Sequence, residues 1–80
     1  MASKPITIDP IAKPAYDRLA PREQTALRWG ARAVVTEDAP GKRAFGRGMF
    51  SFEFRNDITV YVEDRPNEIR IVHIIEGGNL

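Results

Sequence analysis

The sequence predicts an α+β fold in which an N-terminal short strand and a helical hairpin pack on a C-terminal antiparallel sheet. Aromatic and polar residues alternate over residues 50–54, which is the period of a strand with one apolar face. Upstream, Leu27 and Val34 belong to an apolar stripe with the spacing of a core-facing helix. Turn-forming residues at 56–57 and 64–67 separate the later strands, which favours an antiparallel meander.

Composition restricts the chain to one small folded domain, residues 1–80. Of its 80 residues, 42% are apolar and 29% are charged, as in folded soluble proteins. Cysteine is absent, which excludes disulfide frameworks and thiolate metal sites, and the single histidine, His73, cannot build a histidine-rich metal site. No apolar run approaches the ~20 residues that span a bilayer, and the N-terminus does not resemble a secretory signal. We expect a cytoplasmic protein with no membrane association and no cofactor.

The N-terminal part predicts a strand followed by a short helix. Residues 6–8 are a β-branched run typical of a strand. Asp9 then resembles an N-cap with Pro10 at the first helical position. Pro14 either kinks this helix or begins it, because an interior proline removes a backbone donor. The predicted buried face of the helix is Ile11, Ala15, Tyr16 and Leu19.

A second helix is predicted from Pro21 or Arg22 to about Val35, ending before residues 38–41. Its junction with the first helix is so short that the two should form an antiparallel hairpin. The predicted core stripe is Leu27, Gly30, Ala31 and Val34, widened by Ala26, Trp29 and Ala33. Gly30 suggests close packing on a neighbouring element, and Trp29 is assigned to the core.

Four segments follow the helices. Residues 41–48 predict a loop or an irregular edge strand, because three glycines lie among basic residues. Strands are predicted at 50–55 and 58–63, each with one apolar face. Residues 69–75 are apolar on both faces, which predicts a central strand. The helices should cover the face that presents Phe50, Phe52 and Phe54.

Charge is distributed unevenly along a chain whose net charge is +1. Residues 41–55 carry four basic side chains against Glu53 alone, and residues 56–80 carry two basic against five acidic. The basic segment is a modest footprint for a phosphate backbone or an ordinary solvated surface. The near-zero total disfavours tight binding to bare duplex DNA.

Few residues point to catalysis. No phosphate-binding glycine loop or nucleophile triad is recognisable. His73 is a candidate general base, with a half-buried structural histidine as the alternative. Tyr61 could stack on a base or donate a proton, or pack across strands. Arginine suits phosphate and carboxylate recognition. The candidate binding residues are Lys42, Arg43, Arg47, Arg55, Tyr61 and Arg70, and the weak catalytic candidates are Arg55 and His73.

The order and spacing of these elements resemble the RelE/ParE toxin superfamily over roughly residues 6–77. The resembling strings are LAPREQ at 19–24, PGKR at 40–43, Gly46, the aromatic strand at 49–55, DITVYV at 57–62 and the strand at 69–75. No single string is a specific motif, so the resemblance depends on their order. It implies a RelE/ParE-like fold and a protein partner, because such toxins are held by an antitoxin that wraps the sheet and helices.

The chain departs from the ribosome-dependent ribonucleases of that superfamily at their basic positions. The resemblance places Ser51, Glu53, Thr59 and Gly78 where basic residues are expected, and only Arg55 is retained. Loss of a transition-state donor typically costs ~10²–10³ in rate. Ordinary RelE-type cleavage is therefore not expected to be inherited.

Three hypotheses remain from the sequence. The first is a toxin-like component of a type II toxin–antitoxin system that acts mainly by binding a large target, as ParE-like members do, and is neutralised by an antitoxin. The second is a small non-catalytic protein-interaction module, such as a phage or accessory factor, that retains only the fold. The third is a weak ribosome-dependent mRNA endoribonuclease using Arg43, Arg47, Arg55 and His73. The expected partner is an antitoxin or large host protein, with ribosome or RNA contact and homo-oligomerisation as further expectations.

Overall fold

The computed structural model describes residues 4–37, 42–55 and 57–77. Its elements are β1 (Ile6–Ile8), α1 (Lys13–Asp17), α2 (Pro21–Thr36), β2 (Arg43–Ala44), β3 (Met49–Phe54), β4 (Ile58–Asp64) and β5 (Ile69–Glu76). The strands form one sheet in the order β1-β5-β4-β3-β2. The predicted α+β class is confirmed, although the sheet is mixed, because β1 joins β5 in parallel while the other neighbours are antiparallel. The predicted turn residues at 38–41 and Asn56 lie outside the described residues, as does Gly78, where the resemblance expects a basic residue.

Both helices cover the phenylalanine face of the sheet. The buried core is Ala12, Ala15, Tyr16, Leu19, Leu27, Ala31, Val34, Phe52, Ile58, Val60, Val62, Ile69, Ile71 and Ile74. Phe50 and Phe54 are partly buried against it. This arrangement confirms the predicted alternation in β3 and β4. Gly30 also lies against the Phe52 ring, as its expected role in close packing requires.

The first helix begins later than its Asp-Pro pair suggests. Asp9 does act at the entry, because its Oδ1 accepts the Ile11 amide hydrogen at 2.9 Å and its carbonyl accepts the Lys13 amide hydrogen at 3.0 Å. These bonds close a turn, and α1 starts at Lys13 with Pro14 in its first turn, where a proline is tolerated. The predicted burial of Ile11 is wrong: it belongs to the turn and is 69% exposed.

The second helix matches its predicted bounds, but its buried face is narrower than predicted. Its start is stabilised by Glu23, whose carboxylate accepts the Ala20 amide hydrogen at 3.0 Å. Trp29 is 69% exposed, so its assignment to the core is wrong, as is that of Ala26. The physical reason is helical geometry. Trp29 is two residues from the fully buried Leu27 and therefore about 200° around the helix from it.

A register shift in β5 decides which side chains reach the uncovered face. Tyr61 pairs with His73 and Val62 with Ile71, so Val72 is an extra residue at a β-bulge. The bulge lets Ile71 and Ile74 both enter the core while His73 points to the opposite face. Because β5 lies between β1 and β4, its predicted central position is confirmed.

Candidate interface on the open sheet face

The sheet face opposite the helices carries no other described element. In β4 the core residues Ile58, Val60 and Val62 alternate with half-buried Thr59 and Tyr61, which therefore point away from the helices. The uncovered face is consequently a surface four to five strands wide. We call it the open face.

Four residues form a single row across this face. Arg43 of β2 pairs with Ser51 of β3, Ser51 pairs with Tyr61 of β4, and Tyr61 pairs with His73 of β5. Adjacent strands lie about 4.8 Å apart, so the row spans about 14 Å. The structure thus brings together three of the sequence-predicted candidates, Arg43, Tyr61 and His73, which lie up to 30 positions apart in the chain.

Aromatic rings form a continuous platform along this row. Phe45, which follows β2, stacks on Tyr61 with a ring-centroid distance of 6.0 Å and an interplanar angle of 26°. Tyr61 lies 6.5 Å from His73, with their rings tilted by 49°. Phe45 is 55% exposed, so its ring is accessible to a ligand on the open face. Exposed stacked rings of this kind suit either a protein anchor or a nucleobase.

His73 is exposed, so the half-buried structural alternative is wrong. Its exposure follows from the bulge at Val72, which turns the His73 side chain to the open face. The exposed imidazole lies beside the tyrosine ring, where a ligand on this face can contact both groups.

Arg47 stands at the tip of the β2–β3 hairpin. It adopts a positive φ of 55°, between Gly46 at 82° and Gly48 at 73°. A left-handed conformation costs a non-glycine residue about 1–2 kcal/mol. The hairpin therefore presents an exposed arginine at a position where glycine would be less strained.

Ion pairing separates the arginines of the described residues into two groups. The paired group has a carboxylate within 4.0 Å and comprises Arg18, Arg55, Arg65 and Arg70. The second group has no such pair in the described part of the chain and comprises Arg22, Arg28, Arg32, Arg43 and Arg47. Arg43 and Arg47 belong to the β2–β3 hairpin at one edge of the open face. The other three lie on α2.

The remaining sequence-predicted candidates lie away from the row. Lys42 donates to the Glu37 carbonyl at 3.0 Å, and its Nζ lies 4.9 Å from the Phe50 ring centroid, on the helix side of the sheet. Arg70 of β5 is held by Asp9 at 3.0 Å. Arg70 is half-buried and neutralised.

Arg55 also differs from its expected role. It lies beyond the end of β3, with a positive φ of 59°, and binds Asp57 at 3.2 Å and Glu23 of α2 at 2.6 Å. These contacts place it at the opposite end of β3 from Arg47. The structure therefore uses Arg55 to join the β3–β4 turn to the start of α2.

Several carboxylates have displaced pKa values because they accept hydrogen bonds. The Ala20 amide hydrogen and then Arg55 lower the pKa of Glu23 below its ordinary 4.5. The Ile11 amide hydrogen is the largest cause that lowers the pKa of Asp9, with Arg70 contributing. Hydrogen bonds from the Thr7 hydroxyl and Arg65 lower the pKa of Glu68. All three groups stabilise the junctions of the fold and lie outside the open-face row.

Sequence reasoning did not single out Phe45, which lies on the open face, and it placed Trp29 in the core. The exposure of Trp29 was predictable from the sequence, because its spacing from Leu27 places it on a different face of the helix. No local signal identified Phe45, because its contact with Tyr61 depends on the pairing of β2, β3 and β4.

The described residues contain no cluster of three or more histidine, aspartate or glutamate side chains that could hold a metal ion. Among the same residues, neither helix has the length and apolar character needed to cross a membrane.

Comparison with known proteins gives a match in structure alone. No protein-family model matches the sequence, and no curated protein is detectably similar to it. Two solved chains from the YoeB–YefM toxin–antitoxin complex of Staphylococcus aureus match with a TM-score of 0.67 at 14% identity. The match covers 92% of this chain and 97% of the solved chain. At this identity the similarity shows the fold alone, and it confirms the predicted RelE/ParE-like fold.

Proposed function

We propose that this protein is a toxin-like component of a type II toxin–antitoxin system, which acts by binding a large target and is neutralised by an antitoxin. The observation that carries the proposal is its similarity in fold to a chain of a toxin–antitoxin complex over nearly the full length of both chains. Fold alone does not fix function. The proposal therefore also depends on the surface that the fold leaves uncovered.

The open face supports a binding role. Arg43 and Arg47 have no carboxylate partner among the described residues, so they are available to anions on a target. Phe45 and Tyr61 lie beside them and provide an apolar anchor. Arginine and aromatic side chains are enriched among residues that dominate binding energy at interfaces. Arg47 is also exposed at the tip of the hairpin, where its side chain can reach a target.

The same face departs from what phosphoryl-transfer catalysis requires. Ser51 is buried and Glu53 is an exposed carboxylate, which would repel a scissile phosphate. Arg55, the basic residue that the family resemblance retains, is neutralised by Glu23 and Asp57. These positions favour binding over cleavage.

Inducible expression in a bacterial host tests the proposal. We expect growth arrest when the protein is produced alone, and relief of the arrest when the reading frame adjacent to its gene, the candidate antitoxin, is co-expressed. Co-purification of the two proteins from the rescued cells checks that relief results from complex formation. Unimpaired growth at high soluble expression would contradict the proposal and favour a non-toxic interaction module.

A weak ribosome-dependent endoribonuclease is the second candidate, and the juxtaposition of Tyr61 and His73 favours it. Either group could move the proton of a ribose 2′-hydroxyl held over the row. Incubation with translating ribosomes, followed by mapping of mRNA 5′ ends, tests this candidate. New ends that disappear with His73→Gln would establish cleavage, and unchanged transcripts would remove it.

A further inference from the structure

We propose that the outer face of α2 binds single-stranded nucleic acid, with Trp29 stacked on a base and with Arg28 and Arg32 on the adjoining phosphates. This site lies on the helix side of the sheet, away from the open face, and does not depend on the proposed toxin function.

The site is an open cavity beside the Trp29 indole. It has a volume of about 330 Å³ and is lined by Ile6, Thr25, Arg28, Trp29 and Arg32. Trp29 is 69% exposed, which is unusual for the largest apolar side chain of a small domain. Its neighbours one turn away include the small residues Ala26 and Ala33, so a planar ligand can approach the ring.

Neutral groups hold both arginines of the cavity in place. Arg28 donates to the hydroxyl of Tyr16. Arg32 donates from Nη1 to the carbonyl oxygen of Lys4 at 2.9 Å. These contacts fix the guanidinium groups without cancelling their charges. An anion that enters the cavity therefore meets two positioned cations, and less side-chain entropy is lost on binding.

Among the described residues, no carboxylate side chain lines the cavity. In the described part of α2 the acidic residue is Glu23, which already binds the Ala20 amide hydrogen and Arg55. Arg22 adds a third positive charge to the outer face of the helix without an ion pair among the described residues. The outer face of α2 is thus cationic and aromatic, although the whole chain carries a net charge of only +1.

A nucleotide satisfies these groups better than an acidic peptide does. Every nucleobase has a π face that can stack on an indole, and its phosphate suits an arginine fork. An acidic peptide supplies carboxylates for the arginines but leaves the exposed indole without a stacking partner unless a second residue provides one. Duplex DNA or RNA presents phosphates, but its bases are already stacked. Single-stranded nucleic acid is therefore the occupant that the cavity favours.

Trp29 is the single tryptophan of the chain, so its fluorescence reports on the site directly. Titration with unlabelled eight-nucleotide RNA should quench the emission saturably, because a stacked base quenches indole. An equal length of single-stranded DNA should also quench, and a stronger effect of RNA would assign the 2′-hydroxyl a role. Duplex of the same sequence should quench much less. Failure of both single strands to quench or bind would overturn the proposal.

Binding of fluorescein-labelled oligonucleotide, followed by anisotropy, provides the second measurement. Trp29→Ala should weaken binding about tenfold or more, and Trp29→Phe should restore part of the loss. Arg32→Gln should reduce the magnitude of the slope of log K against log salt by about 0.7, the value for one phosphate contact on a single strand. The matched control is Arg18→Gln, which removes one positive charge from an arginine already paired with Glu76 and should have no effect on the slope. Circular dichroism checks that all variants fold.

Two further results would contradict the site. Equal losses for Arg32→Gln and Arg18→Gln would mean that only total charge matters. Binding of an oligoglutamate peptide, with the same dependence on Trp29 and Arg32 as the RNA, would assign the surface to an acidic protein segment instead.

Discussion

Gly30 of α2 and the Phe52 ring of β3 are in direct contact: a Cβ at position 30 would lie 2.7 Å from Cε2 and 3.0 Å from Cζ of that ring. Phe52 is itself buried, so its ring has little room to move. The glycine thus allows α2 to approach the sheet closely enough to bury Leu27 and Val34 beneath it. The distance from helix to sheet is set at this contact.

Gly30→Ala should therefore lower the free energy of unfolding. Overpacking of a core costs about 1–3 kcal/mol, and the higher helix propensity of alanine returns at most about 1 kcal/mol. We expect a net loss of up to about 2 kcal/mol, measured by urea denaturation. In the double variant Gly30→Ala/Phe52→Leu the loss caused by alanine should shrink, because the clashing ring is gone. A more stable Gly30→Ala protein would contradict the close contact.

Leu27→Ala and Trp29→Ala should differ strongly in stability although both truncate a large apolar side chain of α2. Leu27 is fully buried, so its truncation should cost about 2–5 kcal/mol. Trp29 is largely exposed, so its truncation should change the free energy of unfolding by about 0.5 kcal/mol or less. Chemical denaturation of the two variants measures both values. Comparable losses would mean that Trp29 belongs to the core after all.

Stability should fall as the pH is lowered into the range where carboxylates protonate. The pKa values of Glu23, Asp9 and Glu68 are all lower in the folded protein than their ordinary values of 4.5, 3.8 and 4.5. Their contribution is therefore fully present above about pH 5 and is lost as the pH falls through the folded-state pKa values. Thermal melts from pH 7 to pH 2.5 should show this decline, and it should be shallower for Glu23→Gln. A melting temperature that rises on acidification would contradict the assigned hydrogen bonds.

His73→Gln should weaken growth arrest without abolishing it if the protein acts by binding. His73 is exposed on the open face and lies outside the core, so the substitution should leave the fold intact. If the protein acts by binding, loss of the imidazole removes only the ring at one end of the aromatic platform. Growth curves after induction, with soluble protein quantified on the same samples, test this expectation. Complete loss of toxicity would favour the endoribonuclease candidate instead.

Period-two and helical patterning were sufficient to predict most of the helices and strands and the apolar faces of β3 and α2, but not the parallel pairing of β1 with β5. The alternation of Phe50, Phe52 and Phe54 placed the apolar face of β3, and the stripe that includes Leu27 and Val34 placed that of α2. These patterns are local, and burial of one face enforces them. The resemblance to the RelE/ParE superfamily rested on the order of these elements together with several local strings.

The candidate site was less accessible to sequence reasoning, because it depends on tertiary contacts. Arg55 and Arg70 looked like free cations until the fold brought Glu23 and Asp9 to them across 32 and 61 positions. Likewise, no local pattern predicts the bulge at Val72 that exposes His73. Whether an arginine is free to bind an anion therefore depends on which carboxylates the fold brings close to it.

The matched double variants Arg43→Gln/Arg47→Gln and Arg18→Gln/Arg65→Gln test the central claim most directly, since each removes two positive charges. Arg43 and Arg47 have no ion pair in the described part of the chain, whereas Arg18 and Arg65 are each paired with a glutamate. We expect the first variant to lose growth arrest when expressed alone and the second to retain it, at equal soluble levels. Retained arrest in the first variant, or equal loss in both, would contradict a function carried by the open face and its hairpin.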